Sequence, residues 1–295
     1  MSEFIQHVVD ALSVGSTYAL LALGLTLVFS VMRLINFAYG MMLVWSAYAA
    51  YVMLDHGVPF VVMVPLCIVF ATFLSMLLGR VAFRPFIGAP PITLLITSFG
   101  VLLVIQYVAI LFFGEGPRIL RFPSLFNDVV EIGSVRVPVL ELITIGTAAV
   151  VVAIFYAILQ RTSFGAQLRA SAELPDVSRL MGVKPDRVLM LAFAISGAIA
   201  GVVGLLWFAK AGAITPRADL DPTIKAFIAL VLGGLGSTRG ALVGGIALGA
   251  IEVTLSATLP GEALGYQPAI VFAAVIAILI LRPGGLSGTT LEPAR

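Results

Sequence analysis

Apolar residues run along this chain in blocks of roughly twenty, the length a helix needs to cross a bilayer, with short polar stretches between them. The first block runs from Ala11 to Val31 and ends at Arg33. The second, Phe37 to Leu54, is closed by Asp55, His56 and Gly57. Pro59 to Ala82 is the third, with Arg80 and Arg84 at its far end, and Pro91 to Phe113 is the fourth. A polar loop, Gly114 to Pro138, precedes the fifth block, Val139 to Leu159, and the sixth is Val188 to Ala209. Thr223 to Thr258 is too long for one span and is interrupted by GGLGSTRG at 233–240. It reads as a short apolar segment, a break, and a longer helix from Ala241. Pro268 to Leu281 is the last block. The pattern predicts an all-α, polytopic membrane protein with eight or nine crossings, depending on whether Thr223–Leu232 passes fully through, and with broken or re-entrant helices. Residues 1–295 read as a single transmembrane domain.

One polar stretch stands apart. Gln160 to Arg187 carries eight of the chain's 32 charged residues, and Arg161, Arg169, Arg179, Lys184 and Arg187 outnumber Glu173, Asp176 and Asp186. The positive-inside rule puts this stretch in the cytoplasm. Its middle predicts a short helix. Pro175 suits a first helical position, Asp176 faces the positive end of the dipole, and Gly182 can take the left-handed conformation that stops the helix. Leu174, Val177, Leu180 and Met181 recur at helical spacing. A capped, half-apolar helix between two spans fits docking onto a soluble partner better than lying against the membrane. With this stretch inside, alternation of nine spans leaves eleven Lys/Arg inside and six outside, so the N-terminus is expected outside and the C-terminus in the cytoplasm.

Composition agrees with the pattern. Apolar residues make up 60% of the chain, charged residues 11%, and mean hydropathy is +1.12, whereas a soluble domain carries about 25% charged residues. A net charge of +2, with basic residues at span ends, gives no reason to expect nucleic acid as a partner. The single cysteine, Cys67, excludes an internal disulfide and a cysteine metal cluster. The opening MSEFIQHVVD lacks the basic region of a secretory signal, so the first block is expected to be a mature span.

Chemistry has little to stand on. HExxH and GxSxG are absent, no span holds a close carboxylate pair, and GGLGSTRG does not complete a phosphate-binding loop; if ATP is used, another chain must hydrolyse it. His7 and His56, far apart in sequence, read as solvated loop residues. Polar groups inside apolar segments are better leads because they are costly in lipid. Glu252 either lines a pathway or bonds a neighbouring helix, and Gln106 is a second such group. Asn36 either caps the second span or serves a pore. Glycine pairs four apart (Gly197/Gly201, Gly236/Gly240, Gly240/Gly244, Gly245/Gly249) read as close helix packing. For the break at Gly233–Gly240, pore and packing readings both stand.

Several motifs together resemble one family. TSFGAQLRASAELPDVSRLMGV is similar to the cytoplasmic coupling loop of permeases in branched-chain amino acid ABC importers of the LivH type. LINFAYG after the first span, LGGLGSTRGALVGG late in the chain and the tail LRPGGLSG are similar to further signatures of that family, in the same order over nearly the whole length. The family more often has His where Tyr39 stands and a Pro near Arg239. The resemblance implies one permease domain over 1–295, in a bacterial inner membrane, with a coupling loop at 160–187. It implies a second homologous permease (LivM type), two cytoplasmic ATPase subunits that hold ATP and Mg, and a periplasmic amino-acid-binding protein. This chain itself would bind no cofactor or metal and catalyse no reaction. By the same resemblance Glu173, Pro175, Asp176, Leu180, Met181 and Gly182 form the coupling helix, and the broken segments at Asn36, Phe37, Tyr39 and Gly40 and at Gly233, Gly234 and Gly236 are candidates for the pathway. Leucine, isoleucine or valine would be the cargo. Urea or short-chain amide importers, whose permeases share these motifs, are the alternative, and an ion-coupled secondary transporter is a reading from another class.

Overall fold

Residues 2–10 hold no Gly or Pro to stop a helix, and α1 (Ser2–Met32) runs through them, nine residues longer at its start than hydrophobicity alone predicts. It is seen in a computed structural model that describes residues 2–33, 36–120, 122–123, 126, 128–132, 135–173, 178, 180–282 and 284–287. The other main helices are α2 (Tyr39–Asp55), α3 (Phe60–Leu78), α4 (Pro91–Phe113), α5 (Val139–Arg161), α6 (Ser163–Glu173), α7 (Pro185–Ala211), α8 (Leu220–Gly233), α9 (Thr238–Thr258) and α10 (Gln267–Leu281). Short strands β1 (Arg118–Ile119), β2 (Val129–Ile132), β3 (Val135–Pro138) and β4 (Ala213–Ile214) form two antiparallel pairs, β1 with β4 and β2 with β3. Seven helical segments among the described residues are long and apolar enough to cross a membrane. The other two apolar segments expected to cross are shorter: α2 has 17 residues and α8 has 14. At 1.5 Å per residue α8 reaches about 21 Å, short of the roughly 30 Å hydrocarbon layer.

The chain divides into two compact units, one of Met1–Thr26, Pro123–Ala149 and Ile224–Arg295, the other of Leu27–Phe122 and Val150–Thr223. In the second unit α2 is buried on nearly every side, as a helix apolar all round must be. Small residues on α7 let it close on its neighbours. A Cβ on Gly197 would stand 2.4 Å from Ser75 Cβ, one on Gly201 2.9 Å from Ile68 Cα, and one on Gly204 2.6 Å from the Leu43 carbonyl. The glycine spacing therefore does what packing in a bilayer asks of it. Two buried hydroxyls tie the same helices together: Ser75 donates to the Phe193 carbonyl at 2.7 Å and Ser46 to the Gly201 carbonyl at 3.0 Å. At its far end α3 loosens into a π turn (Gly79–Phe83) and a 3-10 turn (Arg84–Phe86). There Arg84 Nε donates to Asp186 Oδ2 at 2.9 Å.

In the first unit the same device operates on α9. Gly245 faces Ala19 of α1, where a Cβ would lie 2.2 Å from the backbone nitrogen, and Gly249 faces Gly15 at 2.4 Å from its Cα. Gly244 faces Ala229 and Gly233 faces Gly240, closing α8 and α9 into an antiparallel hairpin. Helices α3, α4, α5 and α10 leave wide apolar faces open, as surfaces turned to lipid or to another membrane chain are.

Candidate functional site

The polar stretch after α5 is built around a sharp corner. Thr162 Oγ1 accepts the Gly165 N–H at 3.5 Å and opens α6 as a side-chain cap. Arg169 Nη1 donates to the Leu159 carbonyl at 2.7 Å, covering one of the orphan carbonyls at the end of α5. Only a glycine fits at 165, because a Cβ there would lie 1.9 Å from that same carbonyl oxygen. The run TSFGAQLR thus shapes a turn, a role its composition did not disclose. Glu173 is the last residue of α6; Pro175 and Asp176, expected to start the coupling helix, lie outside the described residues, as do Leu174, Val177 and Arg179. The end of that helix is described. Leu180 is 87% and Met181 81% exposed, and Gly182 takes φ +84, the left-handed stop read from the sequence. Val183 N–H returns to the Ser178 carbonyl at 3.0 Å. Two large apolar side chains are presented together on a charged loop.

The first broken segment is short and tightly held. Asn36 Oδ1 accepts the Ala38 N–H at 3.1 Å, and its carbonyl accepts Tyr39 N–H at 3.2 Å. Asn36 therefore builds a turn two residues ahead of the helix; the cap position is Ala38, which has no side-chain bond to give. Phe37 stacks on Phe99 with ring centroids 4.3 Å apart. Tyr39 is buried, and its hydroxyl has no hydrogen-bond partner among the described residues. A Cβ on Gly40 would stand 2.1 Å from Thr223 Oγ1 and 2.3 Å from the Asp219 carbonyl. Asp219, itself buried, accepts from Gln106 Nε2 at 3.2 Å through Oδ1, while Oδ2 has no partner among the described residues. Burial raises the pKa of this carboxyl, which lies outside the seven spans; its own backbone N–H and the Gln106 amide pull the other way. Gly40 and Gln106 thus meet at Asp219, with Thr223 beside Gly40; the apolar pattern singled out neither Asp219 nor Thr223.

At the second break, Gly234 and Gly236 have φ of +109 and +81, and Gly233 is packed against Gly240. The tail covers the exposed backbone. Leu286 N–H donates to the Leu232 carbonyl at 2.8 Å, and Ser287 donates to the Gly233 carbonyl through its N–H at 3.2 Å and its hydroxyl at 2.6 Å. Ser237 Oγ accepts the Gly240 N–H at 3.0 Å and caps α9. The carbonyls of Leu232, Gly233 and Gly234 are thus occupied by the chain itself, Gly234 accepting the Ser237 N–H at 3.2 Å.

A third cluster lies between α1, α8 and α9 in the first unit. Lys225 Nζ donates to Glu252 Oε1 at 2.8 Å and to the Tyr18 hydroxyl at 2.8 Å, and sits 5.2 Å from the Tyr18 ring centroid. The Tyr18 hydroxyl in turn donates to Glu252 Oε2. Gln267 Nε2 steadies the same turn, donating to the Glu252 carbonyl at 3.1 Å and to Ser256 Oγ at 2.8 Å. Glu252 was visible in the sequence as an intramembrane carboxylate. Its partner Lys225 stands in the sequence as a lone cation in DPTIKAFIALVLGG.

Comparison with known proteins follows the same lines. Residues 7–284 match the family described as the branched-chain amino acid transport system permease component. The chain is 33% identical to the high-affinity branched-chain amino acid transport system permease protein LivH of Escherichia coli (strain K12), over 97% of this chain and 96% of the relative. It is 30% identical to BraD of Pseudomonas aeruginosa, a permease protein of the same description, over 97% and 96%. A probable LivH of Methanocaldococcus jannaschii is 29% identical over 94% and 90%. No solved structure matches the chain.

Proposed function

Because the chain belongs to the family of branched-chain amino acid transport system permease components, we propose that it lines, together with a second permease of the same family, the path by which leucine, isoleucine and valine enter the cell. The observation that carries this reading is likeness along nearly the full length of both chains, joined to seven helices able to cross a membrane. ATP is hydrolysed on two separate cytoplasmic subunits, and a periplasmic binding protein delivers the amino acid. The exposed Leu180–Met181 pair, held out by the turn at Gly182, supports a docking contact with an ATPase subunit: two apolar side chains of this size on a charged loop gain most when a partner groove buries them. Closure of the ATPase pair on ATP then moves this loop as one body, and the spans change between outward-open and inward-open forms.

The test is uptake of radiolabelled leucine by proteoliposomes containing this chain, its partner permease and the ATPases, with ATP inside and binding protein outside. Uptake should require both. Leu180→Asp with Met181→Asp should abolish co-purification of the ATPases and reduce uptake at least about tenfold, the loss expected when anchor side chains of an interface are removed. Leucine uptake by this chain alone, driven by a sodium or proton gradient, would overturn the reading. ATP-dependent uptake of urea or a short amide in place of leucine would overturn the cargo.

A further inference from the structure

Within the first unit, the Lys225–Glu252 pair is held inside helices, away from their rims. Glu252 lies six residues before the end of α9 and Lys225 five residues after the start of α8, about 8–9 Å of helix in each case. Both side chains remain 22% exposed. An ion pair with one open side is not turned to hydrocarbon, because the bilayer offers its charges nothing to bond. That side therefore faces water or protein.

We propose that Tyr18, Lys225 and Glu252 form a receiving site for the ionised main chain of the transported amino acid, its carboxylate opposite Lys225 and its ammonium opposite Glu252. The inference rests on the importer reading and goes beyond it by naming the residues that meet the cargo. A branched-chain amino acid asks little of a pathway with its side chain, which apolar walls accept. Its main chain is different: a full positive and a full negative charge lie on neighbouring atoms and must leave water together. A site for them needs two opposite charges a few ångströms apart, and Lys225 Nζ and Glu252 Oε1 are 2.8 Å apart. When the zwitterion enters, one ion pair becomes two and no charge is stranded. Tyr18 fits such a site. Its hydroxyl accepts from Lys225 and donates to Glu252, so it bridges the two charges, and its ring lies beneath the ammonium. Gln267 fixes the Glu252 turn from behind through its bond to the Glu252 carbonyl.

The rival role is a staple between α8 and α9, and the double variant Lys225→Met with Glu252→Met separates the two. An apolar pair replaces a staple without loss but cannot receive a zwitterion. In the reconstituted importer this variant should assemble with its ATPases, hydrolyse ATP in response to loaded binding protein, and take up leucine about 30-fold more slowly or worse, the loss expected on removing hydrogen-bonded charge partners. Uptake within about twofold of wild type, well inside the tenfold that one hydrogen-bonded partner is worth, overturns the site. A second measurement needs no variant. Millimolar leucine should raise the thermal midpoint of the wild-type complex in detergent, while 4-methylpentanoate, which lacks the ammonium, and 3-methylbutylamine, which lacks the carboxylate, should not. Equal shifts with all three, or none with leucine, overturn the site. A wild-type complex that hydrolyses ATP and takes up no leucine overturns the branched-chain cargo on which the site rests, a result distinct from a variant failing beside an active wild type.

Discussion

At Gly245 the fold hangs on the absence of one carbon atom. A Cβ there would stand 2.2 Å from the Ala19 backbone nitrogen and 2.3 Å from its Cα, and backbone cannot move aside as a side-chain tip can. Gly245→Val should therefore cost about 1–3 kcal/mol or more, seen as a lower thermal midpoint and a poorer yield of monodisperse protein in detergent. Gly100, on α4, meets nothing within 4 Å, so Gly100→Ala should leave both within error, inside about ±0.5 kcal/mol. The two glycines look alike in the sequence. What separates them is a neighbour some hundreds of residues away or none at all, which no local pattern records. Spacing gave a partial answer: Gly197/Gly201, Gly240/Gly244 and Gly245/Gly249 all lie at helix contacts, whereas Gly236 serves a turn with φ +81.

Among the elements, the broken hairpin of α8 and α9 depends on the tail that follows α10. Gly285 carries φ +71, and a Cβ on it would lie 2.6 Å from Gly234 N, so Gly285→Ala meets both strain and a clash. The left-handed backbone alone costs about 1–3 kcal/mol for another residue. Hydrogen exchange at 233–237 should speed up in this variant while exchange in α7 stays unchanged. Helices were the legible part of this chain, since twenty apolar residues in a row leave the backbone no other way to satisfy itself in a bilayer. Their ends were less so: α1 begins at Ser2, and α6 occupies Ser163–Glu173 ahead of the helix expected at Pro175. Thr162 and Gly165 carried the signal for α6, but a cap and a close approach can be recognised only once the preceding helix is known to turn back. The meeting of Gly40 and Gln106 at Asp219 was illegible for the same reason. Asp219 sits in a polar loop of the sequence, and long-range packing alone buries it.

For the whole molecule, the excess of Lys and Arg on one side predicts which side each loop occupies. Along the chain Arg136 in β3 precedes α5 and Met181 follows it. In sealed vesicles an impermeant maleimide should label Met181→Cys only from the cytoplasmic face and Arg136→Cys only from the other. The native Cys67 is fully buried, so it stays silent in the folded protein and need not be removed; labelling of both positions from one face would refute the orientation. The tail's hold on the break also has a meaning in time. Ser287 reaches back 54 residues to the Gly233 carbonyl, and a ribosome adding about 5–20 residues per second takes on the order of several seconds to make that interval. For those seconds the turn between α8 and α9 exists without the strand of chain that closes it, and α10 must be made in between. The seal at Gly233 is thus a late step of biogenesis: a nascent chain arrested after α9 carries open carbonyls that the finished protein never shows to its surroundings.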